Sequence, residues 1–184
     1  IAGVNARSAF DVQFHTDQEL FYDEGSEVGY RWFDRQHLKP LFPFGFGLSY
    51  SKFGLSDFQL HPGPKNLSVS FTVTNTSPRE GAIVPQIYVT LPNGGGRRLA
   101  GWQRIALASG KSRTVTVALD PRILAHFDAA HDCWRVPAGD FTVRLANTAS
   151  DDGVVRAVTL PSWIMAPRIC KQFFHKKATS QSRW

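Results

Sequence analysis

Leu67, Val69, Phe71 and Val73 alternate with Ser68, Ser70, Thr72 and Thr74. A period of two sends successive side chains to opposite faces of an extended strand, one face inward and one in water. The pattern returns where Ile87, Val89 and Leu91 alternate with Gln86, Tyr88 and Thr90. Further strand-like runs fall at 97–107, 113–119, 141–145 and 154–160. Turn-rich breaks separate them at 75–81, 109–110, 137–139 and 151–153, and Asn93-Gly94 favours a hairpin through positive φ. Only 121–128 suits a short helical turn. About seven short strands over roughly a hundred residues predict a two-sheet antiparallel sandwich. A domain of that size buries about two-thirds of its unfolded surface, enough for its own core. Trp102, Trp134 and Phe141 are its expected core aromatics.

The chain ahead of the sandwich has a different texture. Residues 1–23 offer one short extended piece, with Phe10, Val12 and Phe14 in alternation, and then a polar loop. In 24–34, EGSEVGYRWFD, the alternation of Val28, Tyr30 and Trp32 predicts a strand. Next comes PLFPFGFGLSY, 40–50. Pro40 and Pro43 remove two backbone donors, and Gly45 and Gly47 permit left-handed paths. So broken a segment is neither a helix nor a central strand. It reads as a buried, irregular connector pinned by its aromatics.

The 184 residues carry a formal charge of +6, with 42% apolar and 20% charged side chains, a globular composition. Residues 161–184 hold five basic side chains and no acid, leaving 16 basic against 15 acidic elsewhere. The body is nearly neutral and is not expected to bind nucleic acid. No run of eighteen apolar residues exists, so no membrane-spanning helix is expected. The first ten residues lack signal-peptide features and read as the interior of a longer protein. Cys133 and Cys170 are too few for a disulfide framework and lack metal-ligand spacing.

Three blocks now carry a resemblance: EGSEVGYRWFD; PLFPFGFGLSYSKF; and a sandwich containing PQIYV, LAGWQRIAL and WRVPAGDFTV. In this order they resemble the C-terminal end of a glycoside hydrolase family 3 enzyme, from about Phe10 to Leu160. The usual family form has His where Phe46 stands and Thr where Ser51 stands. The resemblance implies a mainly β fold: an immunoglobulin or fibronectin type III-like antiparallel β-sandwich preceded by an extended, irregular arm from an α/β domain. The implied boundaries are a remnant of that domain at 1–53, the sandwich at 54–160 and a basic tail at 161–184. It also implies a secreted or periplasmic parent, a retaining β-glucosidase or β-xylosidase that needs no metal or other cofactor. Retention needs two carboxyl groups about 5 Å apart. In the family both lie upstream of these motifs, so no catalytic residue is assigned and the isolated chain is expected to be inactive. The implied partners are the parent's barrel and α/β domains, with a β-glycoside reached only through the parent.

Among the residues present, Glu24, Tyr30, Arg31 and Trp32 could line a sugar subsite, acids bonding hydroxyls and an indole stacking on the ring. A loop in which Arg31 pairs with a neighbouring acid is the simpler reading. His126, His131 and Cys133 lack the paired spacing of a zinc site. The 93–98 loop is either an anion nest or a hairpin with a solvated basic edge. Asn66 and Asn75 sit in N-x-S sequons. Two alternatives to the glycosidase portion stand beside it: a free-standing carbohydrate- or polymer-binding module, and a nucleic-acid binder acting through the tail. The glycosidase reading accounts best for Phe10, Phe14, Phe21, Tyr22, Trp32, Phe33 and Phe42, which have no partner in the sandwich pattern. Left uncovered, residues 1–53 are expected to drive self-association.

Overall fold

The computed structural model describes residues 25, 27–94, 96–129 and 131–165. The expectations for Phe10, Phe14, Phe21, Tyr22, Glu24, Cys170 and residues 166–184 of the basic tail fall outside them. A short helix, α1 (Tyr30–Arg35), precedes the sandwich. The strands are β1 (Phe53–Gly63), β2 (Asn66–Asn75), β3 (Gly81–Ile83), β4 (Gln86–Thr90), β5 (Arg98–Trp102), β6 (Ile105–Leu107) and β7 (Ser112–Ala118). After a one-turn helix, α2 (Pro121–Leu124), come β8 (His126–Asp128), β9 (Cys133–Val136), β10 (Gly139–Ala146), β11 (Val154–Leu160) and β12 (Trp163–Ile164).

One sheet has the order β1-β2-β7 and the other β11-β10-β4-β5, all antiparallel. Two smaller sheets have the orders β12-β9-β8 and β3-β6. Leu67, Val69, Phe71 and Val73 of β2 meet Ile87, Val89, Phe141, Val143 and Leu145 in one core, all fully buried. The period-two reading of these strands therefore holds. A bulge in β1 between Ser56 and Gln59 places Asp57 at φ 54° and coincides with burial of Phe58 in the same core.

Several expectations need correction. Residues 24–34 do not form a strand. Tyr30, Phe33 and Asp34 line one cleft against the sandwich, a spacing of three and four that belongs to a helix. The alternation of Val28, Tyr30 and Trp32 is too short to separate the two periods. The 97–107 run is two strands in two sheets, because it leaves β4 after Trp102 and pairs with β3 from Ile105. Phe141 is buried as expected, but Trp102 is 60% exposed and Trp134 38%. Among the described residues the indole in the core is Trp163, which sits in β12 opposite Val136, so the sandwich continues past Leu160. Asn75 is fully buried, and its Nδ2 donates to the carbonyls of Arg79 and Leu107. The folded domain cannot carry a glycan there, whereas Asn66 is exposed.

Candidate functional site

Both faces of β4 are buried, although an outer strand face normally meets water. Ile87 and Val89 face the core. Gln86 and Tyr88 are covered instead by the arm that precedes the sandwich. Tyr30 of α1 packs edge-on against Tyr88, with ring centroids 5.5 Å apart, and lies 6.4 Å from Phe44 in a stacked arrangement. The Leu99 N–H of β5 donates to the Tyr30 hydroxyl at 2.9 Å. Tyr88 donates its own hydroxyl to Gln86 Oε1. Burial, and then Tyr30 beside it, push the Tyr88 phenol well above its ordinary pKa.

Further along α1, Asp34 receives Arg97 Nε at 2.7 Å and also its Nη2, a two-point carboxylate–guanidinium pair. The Arg97 hydrogen bond holds the Asp34 carboxyl below its usual range, and Asp34 in turn raises Arg97. Arg98 donates to the carbonyls of Ile123 and Ala125. Neither arginine of the 93–98 loop is therefore a solvated edge or the wall of an anion nest. Arg97 is a docking residue missed in the sequence, where nothing separates it from Arg98.

Next the chain is pinned through its backbone: the Ala149 N–H donates to the Phe44 carbonyl at 3.0 Å. Gly45 follows with φ 90°, and a Cβ there would stand 2.2 Å from Gln86 Nε2 and 3.1 Å from the Asn147 carbonyl oxygen. Only glycine lets the backbone lie this close to β4. Once pinned, the connector points outward. Leu41, Phe42, Phe44, Phe46, Leu48 and Tyr50 are all more than half exposed, and Phe42 and Phe46 touch one another. The connector is irregular, as expected, but among the described residues nothing buries its aromatics.

Of the group read as a sugar subsite, Glu24 lies outside the described residues. Tyr30 is turned onto Tyr88, Arg31 pairs with Glu27, and the half-buried Trp32 ring meets Phe33 edge-on. His131 and Arg135 both bond Asp128, Cys133 is buried, and no group of three or more metal-ligating side chains occurs among the described residues. No helix among the described residues is long and apolar enough to cross a membrane.

A low folded-state pKa sets the sign of one pH effect. Asp34 stabilises the docked arm above its unfolded pKa of about 4, and that contribution is lost as pH falls through the lower folded value. The Leu99 amide resonance is therefore expected to be steady near neutrality and to move under acid as α1 loosens. D34N is expected to weaken docking by about 1 kcal/mol and to abolish the acid step, since the pair is only partly buried. An unchanged acid transition in D34N would assign it to another group.

Comparison with known proteins places this geometry. The fibronectin type III-like domain family matches residues 83–149. A probable β-glucosidase G from Aspergillus flavus is 35% identical over 162 residues, which covers 73% of this chain and 20% of that protein. A β-glucosidase from Streptomyces venezuelae, solved with D-glucose, superposes with a TM-score of 0.73 at 36% identity, covering 78% of this chain and 19% of its own. A glycoside hydrolase family 3 β-glucosidase from Bifidobacterium adolescentis superposes with a TM-score of 0.72 at 34% identity, covering 77% and 22%. The chain thus spans about a fifth of the length of the relatives it matches. With an antiparallel sandwich, a docked arm and this set of relatives, the chain belongs to glycoside hydrolase family 3, as the C-terminal, fibronectin type III-like portion of such a protein.

Proposed function

We propose that this chain is the non-catalytic C-terminal portion of a retaining β-glycosidase, in which the sandwich buttresses the catalytic domains through the 40–50 connector. The supporting observation is the outward set of six large apolar side chains on a backbone already fixed to the sandwich at Gly45 and Ala149. Such a surface is costly in water and pre-shaped for a protein partner. The partners are the barrel and α/β domains of the parent, which acts on a β-glycoside. The purified chain is expected not to hydrolyse an aryl β-glucoside. Turnover that survives removal of trace contaminating glycosidase would overturn the reading.

Within the arm, Tyr30, Arg31 and Trp32 act in packing rather than as a sugar subsite. The Tyr30 hydroxyl bonds the Leu99 N–H, the Arg31 guanidinium pairs with Glu27, and the Trp32 ring packs on Phe33. In the full-length parent, W32A is expected to lower thermal stability and leave KM unchanged. A raised KM with intact stability would return the indole to the substrate.

A further inference from the structure

A second feature adjoins the connector and shares Gly45, Gly47, Leu48 and Ser49 with it. Between the 45–53 segment, β3 and the end of β10 is a cleft of about 640 Å³. That volume is typical of small-molecule sites, which run roughly 300–1,000 Å³. Its lining includes Phe53 and Ile83 on the apolar side and Lys52 and Arg104 as cations, with no carboxylate. Both cations are exposed, and among the described residues neither makes an ion pair.

The other polar groups of the cleft suit hydroxyl partners. The Ser49 hydroxyl accepts from the Ser51 N–H, which leaves its own proton to donate. Thr148 supplies a second hydroxyl. Asn147 also lines the cleft, but its Oδ1 is shielded from solvent. Two unpaired cations attract an oxyanion, while two hydroxyls match a polyol.

We propose that this cleft binds a small hydroxylated oxyanion, a sugar acid or a sugar phosphate. Lys52 and Arg104 hold the anionic group, and Ser49 and Thr148 meet the hydroxyls. All of its lining comes from this chain, with Gly45, Gly47, Leu48 and Ser49 supplied by the connector itself.

The test is an amide NMR titration of the chain with D-glucuronate, D-glucose 6-phosphate, D-glucose and inorganic phosphate. At least one charged sugar is expected to move the Lys52, Arg104 and Thr148 amides saturably, more tightly than glucose or phosphate. Glucuronate alone would identify a sugar acid, and glucose 6-phosphate alone a phosphate ester; either upholds the site. K52Q and R104Q, both surface changes, are each expected to weaken binding about tenfold, and added salt to weaken it further. K65Q, an exposed charge outside the cleft, should change nothing. Silence from both charged sugars, equal binding by glucose or phosphate, or full binding by both cleft variants would overturn the proposal.

Discussion

Replacing Gly153 by alanine is expected to destabilise the sandwich by about 3 kcal/mol, and to lower its melting temperature by about 10 °C or more. Gly153 closes the loop that joins β10 to β11, with φ 51°. A Cβ there would lie 2.1 Å from the Leu145 carbonyl oxygen and 2.9 Å from its carbonyl carbon. Those atoms are backbone of a central strand whose side chains fill the core, so they cannot turn aside as a side chain would. The left-handed conformation alone costs an L-residue about 1–2 kcal/mol, and the rest comes from displaced backbone. Gly110 provides the control. It has φ 68°, but a Cβ added there would meet nothing within 4 Å, so G110A should show the conformational term alone. Equal losses in the two variants, measured by urea unfolding, would remove the steric term.

What could be read from the sequence follows from where each segment finds its partner. The alternation in β2 and β10 is set by two faces of one strand, one in the core and one outward, so a short window of residues carries the whole signal. Trp102 and Trp134 mislead because a large ring suggests burial; each stands in a strand but faces outward, and Trp134 rests on Phe127. Trp163 is hidden by its setting, next to a basic run that has no strand period of its own. In α1 the helical choice is made by the sandwich. Asp34 finds Arg97 and Tyr30 finds Leu99, each more than sixty residues away in sequence. No local window contains that information.

The same distance dependence divides the candidate site. The proline–glycine–aromatic composition of 40–50 is enough to mark it as irregular and to suggest that something covers it. It cannot show that Gly45 is held against Gln86, or that Phe44 is tied to Ala149, since both partners belong to other strands and loops. Nor can it separate Arg97, which is committed to the arm, from Arg104, which stands by the cleft. Charge along a chain is legible in the sequence; pairing is not.

The chain on its own is expected to self-associate, and replacing Phe42, Phe46, Leu48 and Tyr50 together by serine should make it monomeric with its melting temperature unchanged. The six outward side chains of the connector expose on the order of 700 Å² of apolar surface. A typical specific interface buries about 800 Å² on each partner, so the connector is large enough to hold a copy of itself where its proper partner is lacking. Apolar anchors of this kind commonly cost about 2 kcal/mol or more when truncated. Losing four should raise the dissociation constant at least about a hundredfold, even with strong non-additivity. Stability should hold because none of the four contributes to the sandwich core, and the arm stays fixed through Tyr30, Asp34 and the Phe44 carbonyl. Sedimentation velocity over a concentration series reads the first effect and thermal unfolding the second. A native chain that stays monomeric at high concentration would mean the exposed aromatics do not act as a docking face.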